Sequence, residues 1–164
     1  MDQLLEYLPA NIPATDDCSV VHGDLQIANM MMHASEAEVI GILDWELSTL
    51  GCPLADFAYL CRPYRDALRG IDLAPLGIPS EEAFVEAYCE RTGRSSIPNW
   101  DYYLAFNMFK MAAILQGIAR RVLDGTAASN HAEEAGAGAF NMAKLAWAQI
   151  DKSVDLSDLD ALRD

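Results

Sequence analysis

The chain has 164 residues, 52% of them hydrophobic and 22% charged, which suits a globular fold with a real core and excludes a disordered chain. Lys and Arg number 11 against 25 Asp and Glu, and a formal charge of −14 argues against a nucleic-acid partner, whose binding face would be basic. The N-terminus lacks the basic-then-apolar pattern of a signal peptide, and no run reaches the roughly 18 apolar residues of a membrane span, so no membrane role and a cytoplasmic setting are expected.

In chain order, residues Asp2 to Leu8 read as a helix stopped by Pro9 and the polar loop from Pro13 to Asp17. Val20-Val21 is a short apolar entry into His22-Gly23-Asp24. Ile27 to His33 and Glu38 to Leu43 read as two strands of a hairpin turning at Ala34-Ser35-Glu36-Ala37. Pro53 can open a helix through Leu54, Phe57, Ala58 and Cys61, since proline is tolerated where the N–H has no helical partner. Ser80 can cap a helix with Glu81 and Glu82 in its first turn, Phe84, Val85 and Tyr88 on its apolar face, and Gly93 as its stop.

Asn99 can cap the longest helix, whose Tyr103, Leu104, Met108, Met111, Leu115, Ile118 and Val122 recur at helical spacing before Gly125. A last stripe runs through Ala135, Ala139, Met142, Ala143, Ala146, Trp147 and Ile150, followed by an acidic tail from Asp155 that should fray. No repeat or low-complexity linker divides the chain, so a single domain over 1–164 is expected. Cys18, Cys52, Cys61 and Cys89 form no C-x-x-C pair and sit among apolar residues, which reads as reduced core thiols.

Chemistry concentrates in Val21-His22-Gly23-Asp24-Leu25-Gln26-Ile27-Ala28-Asn29 and in Leu43-Asp44-Trp45-Glu46. Phosphoryl transfer needs one carboxylate to position or deprotonate a hydroxyl and two oxygen ligands to hold Mg²⁺ against phosphates. Asp24 is the candidate base, and Asn29 and Asp44 are the candidate ligands; each alone would pass for a turn or strand-end residue. His22 reads as a hydrogen-bonding support behind the loop. Asp56, a carboxylate in an apolar helix, needs donors and is expected to take N–H groups of the loop or a hydrogen bond from His22. Trp45 reads as packing. His33 and His131 are lone histidines without an assigned role.

The Asp-to-Asn spacing is that of the protein-kinase catalytic loop H-R-D-x-x-x-x-N, with Gly23 in place of the Arg and D-W-E in place of D-F-G. Together with Ile42-Leu43-Asp44-Trp45-Glu46-Leu47-Ser48-Thr49-Leu50-Gly51 and Pro53-Leu54-Ala55-Asp56-Phe57-Ala58-Tyr59, the loop resembles the aminoglycoside phosphotransferase-like family of small-molecule kinases. Lys110 to Ile118 and Arg120-Arg121 resemble the subgroup found beside acyl-CoA dehydrogenases.

The resemblance implies an α+β fold: the mostly helical C-terminal lobe of a protein-kinase-like fold, with a small β-hairpin carrying the metal ligands. It implies ATP as co-substrate, Mg²⁺, and a hydroxyl of a small molecule as acceptor. Asp24 takes the role of base, and Asn29 and Asp44 those of Mg²⁺ ligands. An N-terminal, ATP-covering lobe does not fit before His22, so such a lobe or a second copy is expected over the cleft. Gln26 stands where the family often carries a basic residue or His facing the phosphates, Ala28 where Asp or Gly is common, and Cys52 where Asp is common. The alternative is a non-catalytic kinase-like binding or interaction module; a metal-dependent hydrolase ranks last, for want of histidine ligands.

Overall fold

The computed structural model describes residues 1–15, 17–126 and 132–160. They form an α+β fold of six helices and four short strands among the described residues, gathered into two compact units, Ala14–Tyr103 and Met1–Pro13 with Leu104–Asp164.

The unit Ala14–Tyr103 holds both strand pairs. Strand β1 (Ser19–Val21) pairs antiparallel with β4 (Thr49–Gly51), Val21 opposite Thr49. Strand β2 (Met30–Met32) pairs antiparallel with β3 (Val39–Ile42), with a bulge between Met31 and Met32. The hairpin is shorter than its sequence pattern suggests because Ile27–Asn29 winds into a 3₁₀ turn, the Asn29 N–H bonding the Gln26 carbonyl at 3.0 Å. The β1–β4 ladder has no counterpart in the sequence reading. It joins the end of the chain entering the His22 loop to the end leaving for the next helix.

That helix, α2 (Pro53–Cys61), starts on Pro53 as expected and buries Leu54, Phe57, Ala58, Tyr59 and Cys61. Helix α3 (Glu81–Thr92) begins on Ser80, whose hydroxyl accepts the Ala83 N–H at 3.2 Å, and ends on Gly93 at φ 69°. Phe57 of α2 stacks on Tyr88 of α3 with ring centroids 3.8 Å apart, and Phe84 and Trp100 flank it at 5.6 and 5.5 Å. Aromatic contact of this kind adds to the area buried and ties α2 to α3. Arg65 forms an ion pair with Glu81 at 2.7 Å, and Glu81 also accepts the Trp100 indole N–H at 3.0 Å.

In the other unit, α1 (Asp2–Ala10) runs two residues past Leu8, its expected end, and contains Pro9. A proline so near the C-terminal end removes only one helical hydrogen bond, and the helix closes directly after it with the Asn11 N–H on Leu8. Leu4 and Leu8 are buried, and Tyr7 meets Trp147 edge-on at 5.9 Å. Helix α4 (Trp100–Leu123) follows Asn99, whose carbonyl accepts the Tyr102 and Tyr103 N–H groups. Helix α5 (Ala132–Ile150) approaches α4 closely at Gly136, where a Cβ would lie 2.7 Å from that of Ala119. A short helix α6 (Ser157–Asp160) orders part of the tail expected to fray: Leu159 is buried, and Lys144 holds Asp158 at 2.5 Å. His131 and the side chain of Ala135 lie outside the described residues.

Of the four free thiols only Cys61 and Cys89 are core residues; Cys18 is exposed, a correction to the sequence reading, and Cys52 is half-buried with its Sγ 3.6 Å from the Tyr103 hydroxyl. No helix among the described residues is long and apolar enough to cross a membrane.

Candidate active site

The loop after β1 is built around Gly23, at φ +82°, where an added Cβ would sit 2.4 Å from the Leu47 carbonyl oxygen. Only glycine fits both the left-handed backbone and that approach. The loop is fastened from below by α2. Both carboxylate oxygens of Asp56 accept backbone N–H groups, one from His22 and one from Gly23, the latter at 2.9 Å. Charge-assisted bonds to successive N–H groups hold the peptide plane before Asp24 in place.

His22 is 2% exposed and makes two ring contacts. Its Nδ1 accepts the Asp24 N–H at 3.2 Å, so Nε2 carries the proton and donates to the Leu43 carbonyl at 2.7 Å. The imidazole therefore links the loop to the end of β3. Trp45 leans its ring on His22, centroids 4.8 Å apart, and its indole N–H donates to the Ile42 carbonyl at 2.8 Å. Trp45 is nonetheless 47% exposed, so the core packing expected for it is replaced by a half-open position.

The structure brings Asp24, Gln26 and Asn29 together through side-chain hydrogen bonds. Asp24 Oδ2 accepts the Gln26 Nε2 and Asn29 Nδ2 amides, each at 3.0 Å, and Asn29 Nδ2 also donates to the Asp24 carbonyl at 2.9 Å. The Asn29 amide nitrogen is thus engaged inside the loop, and its Oδ1 is the oxygen left for an external partner. Gln26 is engaged in the same network, in addition to standing at the position where the family often has a cation.

Asp44 enters from the second strand of the hairpin. The Leu43 N–H bonds the Asn29 carbonyl at 2.8 Å, which sets Asn29 opposite Leu43, the residue before Asp44. Asp44 has φ 67° and ψ 53°, a left-handed conformation that a residue other than glycine rarely adopts, and it is exposed. Among the described residues no three His, Cys, Asp or Glu side chains group as a metal site.

One neighbour escaped the sequence reading. Tyr59, in α2, is buried, and that burial together with the charge of the Asp24 carboxylate pushes its phenol above its ordinary pKa. The signal was present as the D-F-A-Y spacing from Asp56 to Tyr59, three positions apart and so on neighbouring parts of one helix face. Beside the loop a cavity of about 650 Å³ opens, lined by Leu25, Asp56, Phe57, Phe84, Tyr88 and Arg91 among others. It is within the size range of small-molecule sites, roughly 300–1,000 Å³.

The fold is that of the kinase-like phosphotransferases. The chain superimposes on a crystal structure from Ralstonia eutropha JMP134, a protein provisionally named an aminoglycoside phosphotransferase, with a TM-score of 0.86, 46% sequence identity, and coverage of 92% of this chain and 48% of that one. The model of the phosphotransferase enzyme family matches residues 1–106, and the chain belongs to that family. Among curated proteins it is 43% identical over 155 residues to mouse acyl-CoA dehydrogenase family member 10 and 41% identical over 137 residues to human acyl-CoA dehydrogenase family member 11. It aligns with 90% and 79% of its own length, but spans only 14% and 18% of theirs.

Proposed function

We propose that the chain supplies the catalytic lobe of an ATP- and Mg²⁺-dependent phosphotransferase acting on a hydroxyl group of a small molecule. The observation that carries this reading is the state of Asp24: a carboxylate with one oxygen fixed by two amides, on a loop whose backbone is clamped by Asp56. Phosphoryl transfer depends mostly on alignment and on charge neutralisation, and a fixed carboxylate with a remaining free lone pair aligns an acceptor hydroxyl and takes its proton.

The donor set suits Mg²⁺. Asn29 offers a neutral oxygen and Asp44 a charged, exposed one, and Mg²⁺ commonly takes one or two protein oxygens while keeping waters and phosphate oxygens. Bound there, the ion would neutralise phosphate charge. The chain's own part is to hold Asn29 by its amide nitrogen, to set Asp44 two residues after β3, and to tie Leu43 to the loop through His22 and Asn29. The cavity beside Leu25, the residue after Asp24, offers room for the body of an acceptor.

A layer over the hairpin belongs to the same proposal. Met32, Val39, Ile40, Leu43 and Trp45 are between 45% and 53% exposed, apolar side chains along the hairpin and the turn after it that water contacts unfavourably. A nucleotide-covering lobe or a second copy of the chain would bury it. The test of the function is transfer of the γ-phosphoryl group from Mg·ATP to a panel of small alcohols, followed by ³¹P NMR. Appearance of a phosphate ester that requires both Mg²⁺ and the Asp24 carboxylate supports the proposal. A chain that binds no Mg·ATP and forms no ester contradicts it and favours a non-catalytic binding module.

A further inference from the structure

Two ring N–H groups hold the chain just before Asp44. The Leu43 carbonyl accepts the His22 Nε2 proton at 2.7 Å, and the Ile42 carbonyl accepts the Trp45 indole N–H at 2.8 Å. The two rings rest on each other, with centroids 4.8 Å apart. The turn Trp45–Leu47 also meets the loop at Gly23, whose lack of a side chain makes room for the Leu47 carbonyl. Between these anchors stands Asp44 at φ 67° and ψ 53°, a left-handed backbone that a residue with a side chain leaves for the β region unless its neighbours are fixed. The bond from the Trp45 side chain back to Ile42 spans Asp44 and closes the chain into a ring around it.

We infer that Trp45 is a positioning residue for Asp44: its indole N–H, bonded to the Ile42 carbonyl, holds Asp44 left-handed and so fixes the direction in which the carboxylate leaves the chain. The inference rests on the reading of Asp44 as a Mg²⁺ ligand and adds to it a side chain that acts through the backbone. An exposed carboxylate is a good ligand only if its oxygen is already placed, because Mg²⁺ tolerates little departure from octahedral geometry. Relaxation of Asp44 toward the β region would redirect its carboxylate while Asn29, tied to the Leu43 N–H at 2.8 Å, stayed where it is. The face of the indole has a separate task, to steady the His22 ring that joins Leu43 to the loop. With Trp45 half-exposed, the ring adds little to the core, and the N–H is the group that matters to Asp44.

Trp45→Phe is the discriminating variant, because it keeps an aromatic ring against His22 and deletes the N–H. Two NMR readouts on the whole chain decide the matter. The first is the NOE between the amide and α protons of Asp44, which positive φ brings close together: it should be strong in the wild type and weaker in Trp45→Phe. The second uses Mn²⁺ as the probe ion, which should broaden the Asn29 side-chain amide and the Asp44 amide of the wild type at one common midpoint. In Trp45→Phe that midpoint should move to a roughly 10- to 100-fold higher Mn²⁺ concentration, the usual cost of losing a group that orients a metal ligand, at a nearly unchanged melting temperature. An unchanged midpoint, or an Asp44 NOE as strong as in the wild type, overturns the positioning role and leaves the phosphotransferase reading standing. A wild type in which Mn²⁺ broadens neither signal overturns the metal reading of Asn29 and Asp44, while the NOE still decides what Trp45 does to the Asp44 backbone.

Discussion

Removal of the Asp56 carboxylate tests the architecture of the loop most severely. In Asp56→Ala, the N–H groups of His22 and Gly23 lose their acceptor at the same time, and His22 is buried beyond the reach of water. A hydrogen bond to a charged group contributes roughly 1.5–3 kcal/mol, so two of them put the loss at roughly 3–6 kcal/mol. For a chain of this length each kcal/mol lowers the melting temperature by roughly 2–4 °C, which predicts a fall of about 6–24 °C. Asp56→Asn keeps one acceptor oxygen and turns an amide NH₂ toward the other N–H, so it should lose more than half of that. The local readout is amide hydrogen exchange: His22 and Gly23 should be protected in the wild type and exchange much faster in Asp56→Ala, with the α5 amides little changed. Unchanged melting and unchanged protection of the two amides would refute the clamp and reduce Asp56 to an acidic residue placed in the first turn for the helix dipole.

Gly23→Ala should lower stability by about 2–3 kcal/mol in denaturant titration, because its Cβ meets the Leu47 carbonyl and its φ of +82° is strained for alanine. Asp44→Ala should abolish the Mg²⁺-dependent part of the thermal shift produced by ATP while leaving the unliganded melting temperature nearly unchanged, since Asp44 is exposed. Ala83→Trp, on the α3 wall of the cavity beside Leu25, should raise the KM for an acceptor alcohol without altering that for Mg·ATP, which steady-state kinetics will separate. In the native chain a thiol reagent at pH 8 should modify exposed Cys18 rapidly and spare Cys61, whose buried thiol is pushed up to about 12 and stays protonated; reaction of Cys61 should appear only on unfolding.

Legibility in the sequence followed locality. The loop from His22 to Asn29 could be read because its parts lie within eight residues and its chemistry demands a fixed spacing. Asp56 was legible for a different reason, that a carboxylate in the apolar run Leu54 to Cys61 needs donors, which the backbone of the loop supplies. The α3 boundaries followed from Ser80 and Gly93, whose side-chain and backbone requirements are local. The β1–β4 ladder was not legible, because three-residue strands carry too little alternation to declare themselves and are defined by a pairing across nearly thirty residues of chain. Tyr59 was hidden by its surroundings: among Phe57, Ala58 and Leu60 it passes for one more core aromatic, and only the tertiary path of α2 under the loop lets the Asp24 charge act on its phenol. Pro9 misled in the opposite direction, since a helix that ends within a residue tolerates the missing donor.

The central claim is that Asp24 is the base of a Mg·ATP-dependent transfer, and its most direct measurement is the rate of phosphate-ester formation by Asp24→Asn against the wild type at saturating Mg·ATP. The asparagine keeps an acceptor oxygen for the loop amides and removes the group that takes the proton. The account predicts a normal melting temperature, an undiminished Mg·ATP thermal shift and a rate lower by about 10²–10⁴-fold. A variant that turns over at the wild-type rate would contradict it.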